Sequence, residues 1–525
     1  MKKTLRSLKL ACLAAVSMLV VSCGGGADYR NLLPADSFMT MSVNPASLLQ
    51  KSDAGDIGQH PLFIRLKAEL DKAEGITAEE KEYLLALLKN PCESGVDLKK
   101  DLFFFMSMDG AMQSPNVRGG MLLPVGDKAK LDALLARIGE KSGIAPRHEG
   151  GISVIALGED SSVSGLCAYN DVAVMLYFAQ GSPESALDAV KKLFAQKCGE
   201  SLMGDKVVAD QLSEKNDINM VMAYSALASM LDSNPMVGSM PMMDALKGAT
   251  LASSVNFEKG RIVCDAAMSY KDKESEQNEQ KMMDFYAYVK PQTGALLRYV
   301  PRNTIGAMAY GLDGEKMYSV FSAMPGYGML MANPMVKQVM DAFSGDCVIS
   351  FSGITPDRYP VASLLAQVKD PAVLQTIVSN LSGMPIQKAG EGEYTISMGG
   401  VTVMFGVKGD VLYCTTDAVV KSALDGADIE SLASMSKIFK GQSGSFYVDF
   451  EGVNALTAQL VGGNVDPQVE AALSVLAMFE DLEAYGTMKG GTAVVNMTDK
   501  EQNSFKTICD KIGELIRLYV PEANL

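Results

Sequence analysis

Histidine is almost missing from this 525-residue chain, which has two, His60 and His148, far apart in sequence. That leaves no material for a His-based zinc site or a histidine-rich metal cluster. No CxxC occurs, so thioredoxin-like motifs and zinc ribbons are excluded. GxSxG, Walker, HExxH, EF-hand and strand-bound GxGxxG patterns are also absent, and with them the easily read signatures of hydrolases, nucleotide binders, metalloproteases and dinucleotide enzymes. Basic charge is in short supply: 47 Lys and Arg face 62 Asp and Glu, a net charge of −15, so the body repels nucleic acid and anionic headgroups and is expected to bind no DNA or RNA. Beyond the N-terminus nothing reads as a transmembrane span. What is present, 48% hydrophobic and 21% charged residues, is an ordinary globular composition. The length is too great for one core, and about two to four folding units are expected.

The N-terminus carries an address. Lys2, Lys3, Arg6 and Lys9 precede an uncharged stretch from Leu10 to Val21, which reads as a signal peptide over residues 1–22. Its end, Val20-Val21-Ser22-Cys23, resembles the lipobox of bacterial lipoproteins, which implies that Cys23 becomes the lipidated N-terminus. Acyl chains contribute about 0.8 kcal/mol per buried CH₂, so several of them hold a protein to a membrane without a transmembrane helix. Gly24-Gly25-Gly26 reads as the start of a flexible tether over residues 23–32. Only one acid, Asp28, lies near it, which departs from the acidic run associated with surface display. The expected location is the outer membrane, facing the periplasm.

The mature cysteines are Cys92, Cys167, Cys198, Cys264, Cys347, Cys414 and Cys509, an odd number that leaves at least one thiol free. Cys167, Cys264, Cys347 and Cys414 lie in apolar, strand-like runs and read as small core hydrophobes. Cys92 and Cys198 lie in polar turns and are the candidate pair if a disulfide forms.

Read against itself, the chain repeats its order of elements. Leu33-Pro34-Ala35-Asp36 leads into an alternating run to Asn44, as Val300-Pro301-Arg302-Asn303 leads into Ile305 to Gly311. Leu102 to Met108 matches Cys347 to Ser352, and helix starts at Asp127 and Asp370-Pro371 follow. Two meanders come next, with Asn170-Asp171 and Gly409-Asp410 in the same hairpin turn. Hairpins turning at Glu258-Lys259-Gly260 and Lys489-Gly490-Gly491 correspond, and Met268 and Met497 each precede a charged stretch and an amphipathic helix. The expected fold class is α+β: two tandem, internally duplicated units, residues 33–291 and 292–525, each a mostly antiparallel sheet with helices on one face, joined at Pro291-Gln292-Thr293-Gly294.

Ser434 and Lys437 have the serine–lysine spacing of penicillin-binding enzymes but lack the partner motifs, and read as a solvated helix face. Glu159-Asp160 and Glu480-Asp481 read as loop and cap charges rather than a glycosidase pair. Methionine is the anomaly. Of 34, Met236, Met240, Met242 and Met243 crowd one segment, and Met324, Met329, Met331, Met335 and Met340 another, each segment containing Asn-Pro-Met. Thioethers are soft copper(I) ligands, yet methionine also makes adaptable apolar surfaces. Met236, Met240, Met242, Met243, Met324, Met329, Met331 and Met335 are accordingly the candidate partner-binding residues, with no metal or cofactor expected.

The lipobox, the Leu-Pro-Ala-Asp lead-in and the repeated layout together resemble a group of Bacteroidetes lipoproteins filed as a domain of unknown function. The resemblance implies an envelope location and carries over no catalytic residue. The leading expectation is a non-enzymatic, lipid-anchored module that binds a peptide, glycan, lipid or protein. The alternative is an envelope hydrolase with a site between the repeats.

Overall fold

The computed structural model describes residues 28–519 apart from 54–57, 59, 73–76, 112–113, 143–145, 161–162, 225–245, 247, 271–272, 325, 382 and 463–465. Cys23, the signal peptide and Met236, Met240, Met242 and Met243 lie outside the described residues. Among those described, no helix is long and apolar enough to cross a membrane.

The strands form one 21-stranded sheet. The first ten are β1 (Ser37–Val43), β2 (Leu102–Ala111), β3 (Ser114–Pro124), β4 (Arg147–Glu149), β5 (Ile152–Asp160), β6 (Val163–Tyr169), β7 (Ala173–Gln180), β8 (Ile218–Ala223), β9 (Ala249–Glu258) and β10 (Arg261–Tyr270). They pair antiparallel in the order β4-β5-β6-β7-β3-β2-β1-β8-β9-β10. A short β11 (Val289–Lys290) precedes β12 (Gly306–Asp313), β13 (Phe343–Ile354), β14 (Pro360–Val368), β15 (Ile386–Gly390), β16 (Glu393–Met398), β17 (Val401–Lys408), β18 (Val411–Thr415), β19 (Gly444–Asp449), β20 (Phe479–Thr487) and β21 (Gly490–Met497). Their order is β15-β16-β17-β18-β14-β13-β12-β19-β20-β21. The two series meet where β10 pairs with β21, Cys264 opposite Ala493 at the middle of the ladder. All cross-strand pairing is therefore shared in a single open sheet whose outer edges are β4 and β15.

Helices pack on both faces, not on one as the sequence pattern suggested. In β6 every residue from Ser164 to Tyr169 is buried, so both alternations of the strand need cover. One face of this region packs on Ala186 and Val190 of the helix Pro183–Ala195, and the other on Leu131 and Leu135 of the helix Lys128–Ser142. The second half repeats this, with Val420 and Phe439 on one side and Val373 and Leu374 on the other. The folded body also begins earlier than expected. Tyr29–Leu32 form a 3₁₀ turn capped by the Asp28 carboxylate, and Tyr29 and Leu32 are buried in the first core, so these residues are body and not tether.

Two buried aspartates, one in each half, gather distant segments. Asp217 accepts from Ser47 Oγ (2.6 Å), Lys51 Nζ (2.6 Å) and the Phe257 N–H (2.7 Å), tying the helix Pro45–Ser52 to β9. Asp346 accepts from the Thr293 N–H (2.8 Å), Thr293 Oγ1 (2.7 Å) and the Ala295 N–H (3.0 Å). The joint Pro291–Gly294 is thereby held in place, and Gln292 exchanges backbone bonds with Gln442 and Gly441.

Cys92 and Cys198 are exposed and free, so the candidate disulfide is not formed. Cys167 is buried as expected, Cys264 and Cys347 are half-buried, and Cys414 faces outward on β18. Alternation explains the last: Tyr413 and Thr415 take the inward positions of that short strand.

Candidate functional site

The seam between the two series is where the sheet is thinnest. Side chains pointing to one face there are small: Ser253 on β9, Cys264 and Ala266 on β10, Gly491 and Ala493 on β21, Ala484 and Gly486 on β20. Larger groups rise around this floor. Met308, Tyr310 and Leu312 of β12 and Phe446 of β19 stand on one side, and Tyr286, Tyr288 and Val289 close the end. The result is an open, mostly apolar trough of about 1020 Å³, within the range of ligand sites. Beyond it the apolar strip continues over Ile349 and Leu364, both exposed.

Register explains why the trough is empty here. The hairpins β9–β10 and β20–β21 have turns of equal length, Lys259-Gly260 and Met488-Lys489, closed by the pairs Glu258–Arg261 and Thr487–Gly490. The next pair inward is Phe257–Ile262 in the first hairpin and Gly486–Gly491 in the second. Phe257 stacks on Phe505 with ring centroids 5.0 Å apart, filling its place with aromatic bulk. Gly486 and Gly491 leave theirs open. They also let the strands close up: a Cβ on Gly486 would lie 2.6 Å from the Gly490 carbonyl, and one on Gly491 2.8 Å from that of Tyr485.

Burial shapes the chemistry. It pushes the Cys264 thiol and the Tyr286 and Tyr288 hydroxyls up, so all three are protonated at neutral pH. Asp481 and Glu483 are also raised by burial, but strand alternation places them on the face opposite the trough. The Asp265 carboxylate, between trough-facing Cys264 and Ala266, also turns to that opposite face, where it accepts from Thr492 Oγ1 (2.6 Å), and no histidine, lysine or arginine lines the trough.

An aromatic ladder leads away from the trough. Tyr286 lies 6.1 Å from Tyr288, Tyr288 5.9 Å from Phe321, and Phe321 5.5 Å from Tyr327, centroid to centroid. It ends at the second methionine segment, folded as the helices Gly314–Ser322, Gly328–Met331 and Pro334–Ala342. Asn333 caps the last through the Met335 N–H (3.0 Å), with Pro334 at its first turn. Met329 is 93% exposed and Met331 is 6% exposed, while Met324 and Met335 are half-buried. Residues two apart on a helix point to different sides, so the Met329 and Met331 sulfurs do not converge on one point. Tyr327, Met329 and Leu330 form an exposed greasy lip.

Ser434 donates to the Ser431 carbonyl, and Lys437 is exposed, as a solvated turn requires. The trough residues escaped the sequence reading, which matched the two hairpins by their turns and never compared the pairs behind them. The change from Phe257 and Ile262 to Gly486 and Gly491 was the available signal.

The fold and site define an antiparallel α+β protein with an apolar trough at the centre of one continuous sheet. The chain belongs to the family described as "Domain of unknown function (DUF4836)", matched over residues 29–440. No curated protein matches it. It is similar to the solved structure titled "Structure of crystal form I of TP0453" at 6% identity, over 47% of this chain and 81% of that one, with a TM-score of 0.25, a likeness too slight to carry an argument.

Proposed function

We propose that this chain is a lipid-anchored lipoprotein of the Bacteroidetes envelope, held to the outer membrane through Cys23 and facing the periplasm, and that it binds a ligand and does not turn one over. The lipobox register at Val20 to Cys23 supports the anchor. Cys23→Ala is expected to move the protein from the membrane to the soluble envelope fraction; membrane retention of that variant refutes the anchor.

The two strand series are taken as copies of one duplicated unit. Their identical order supports this, as do the reciprocal bonds across the seam, where the Met268 N–H donates to the Lys489 carbonyl (2.9 Å) and the Met497 N–H to the Gly260 carbonyl (2.9 Å). One copy has kept its central position filled and the other has opened it.

The trough is the observation that carries the binding reading. Its lining is apolar, and the raised carboxylates that a hydrolase would use, Asp481 and Glu483, lie across the sheet from it. The lip at Met329, beside Met324, Met331 and Met335, is the surface where a partner or membrane meets the ladder. Nile red, an uncharged apolar dye, is expected to bind the Cys23→Ala protein and fluoresce. Ala484→Phe, which places a ring in the trough, is expected to weaken that binding about tenfold or more, the equivalent of about 1.4 kcal/mol. Equal dye affinity in a variant with an unchanged melting curve places the site elsewhere.

A further inference from the structure

We infer that the trough's ligand is the acyl chain of a lipid with an uncharged or zwitterionic headgroup, an assignment that rests on the binding reading above. Two observations narrow the class. The floor strands β9, β10, β21, β20, β19 and β12 are each paired on both edges, so none of them offers a free ladder to an added strand. A peptide laid here would bury its own N–H and C=O groups against apolar side chains, at a cost of about 1–3 kcal/mol for each unpaired group. A glycan would bury hydroxyls in the same way. A hydrocarbon chain carries no such groups, and a floor of alanine and glycine walled by Tyr288, Tyr310 and Phe446 gives it a long contact surface.

The headgroup follows from charge. Two lysines flank the trough, and both are engaged: Lys290 Nζ lies 2.9 Å from Asp313 and Lys489 Nζ lies 2.7 Å from Glu279. The chain as a whole carries −15. Among the described residues no lysine or arginine lines the trough to receive a carboxylate or phosphate monoester, and a net anionic amphiphile meets a repulsive field. A headgroup of zero net charge meets neither difficulty and stays in water at the open mouth.

Cys264 in the floor is a built-in reporter. The full chain bearing Cys23→Ala, free of acyl chains of its own, is treated with N-ethylmaleimide at mildly alkaline pH, and labelling is followed site by site by peptide mass spectrometry. Lysophosphatidylcholine below its micelle concentration, at about ten times its dissociation constant, is expected to slow Cys264 labelling about tenfold while exposed Cys92 and Cys198, away from the trough, react unchanged. Palmitate is expected to protect far less. Equal protection by palmitate overturns the headgroup assignment. Protection by Nile red but not by the lysolipid overturns the lipid class and leaves the binding site standing, whereas protection by neither removes both. Equal slowing at all three thiols marks adsorption or unfolding and counts against the proposal. Ala484→Phe, which narrows the trough from the opposite strand, is expected to abolish the lysolipid effect.

Discussion

Glu393→Gln is expected to destabilise the protein by about 2 kcal/mol at neutral pH, and the loss is expected to shrink as the solution is acidified. Glu393, 16% exposed, sits at the start of β16, where its Oε1 takes Lys408 Nζ at 2.8 Å and Lys421 Nζ at 3.4 Å. Asp425 takes the same two ammonium groups from the other side. Glutamine keeps the shape and removes the charge, leaving two lysines against one carboxylate beside the buried Tyr413 ring. A wholly buried pair broken in this way costs about 3–5 kcal/mol, and the partial exposure of Lys408 discounts it. The hydrogen bond from Lys408 holds the Glu393 carboxyl below the ordinary glutamate range, and that from Lys421 does the same for Asp425. A carboxyl whose folded pKa is depressed binds fewer protons folded than unfolded. Its stabilisation is complete above the unfolded value, about 4.3 for glutamate, and is lost as pH falls through the folded value. Urea midpoints for the parent and variant at pH 7, 5, 4 and 3 test this. A gap that stays constant to pH 3 means that the carboxylate charge was not what the mutation removed.

How much of this was legible follows from what each pattern reports. Phe38 to Asn44 and Ile305 to Gly311 alternate because one side of β1 and of β12 is buried, and that period survives in sequence. The turn at Asn170 announces itself because its side chain accepts from the Val172 and Ala173 N–H groups, which asparagine does well. By contrast β3 and β14 were missed. β3 runs through Gly119 and Gly120, where a Cβ at Gly120 would lie 2.1 Å from the Leu176 carbonyl, so close strand approach has erased its alternation. The two-faced cover of β6 was hidden because its buried positions include Gly165 and Ser164, whose hydroxyl donates to the Gly181 carbonyl (2.8 Å), and neither residue reads as core. Asp217 and Asp346 look like any loop aspartate until distant segments converge on them. The trough is the extreme case: its floor is made of small residues on four strands, and smallness alone signals nothing. Only the paired hairpins, read position against position, give it away.

Removing the C-terminal helix Ser504–Tyr519 is expected to loosen the first half of the chain, not the second half to which it is joined. The helix packs on the helices Pro45–Ser52 and Pro61–Lys72 and on β9. Phe505 stacks on Phe257, and Gly513 brings the helix so close that a Cβ there would lie 3.2 Å from Pro61 Cγ. The first half reaches the second by smaller ties: Tyr288, beyond the helix Lys273–Phe285, packs on Phe321 of the helix Gly314–Ser322, and Glu279 of that first helix pairs with Lys489 (2.7 Å). The C-terminal helix is thus lent to the first half and, with these ties, strengthens the seam beyond the β10–β21 ladder. Phe505, Ile508, Leu515 and Ile516 are half-buried, and losing contacts of about 1 kcal/mol each gives an expected cost of about 4 kcal/mol for a chain ending at Asn503. Hydrogen exchange is the measurement. Protection should fall in Pro45–Ser52, Pro61–Lys72 and β9 while β12, β13 and β14 keep theirs. Phe505→Ala, a milder variant, should give the same regional pattern at about 2 kcal/mol. Protection lost equally in both halves would mean that the sheet unfolds as one unit, and protection lost first in the second half would refute the placement of this helix on the first half.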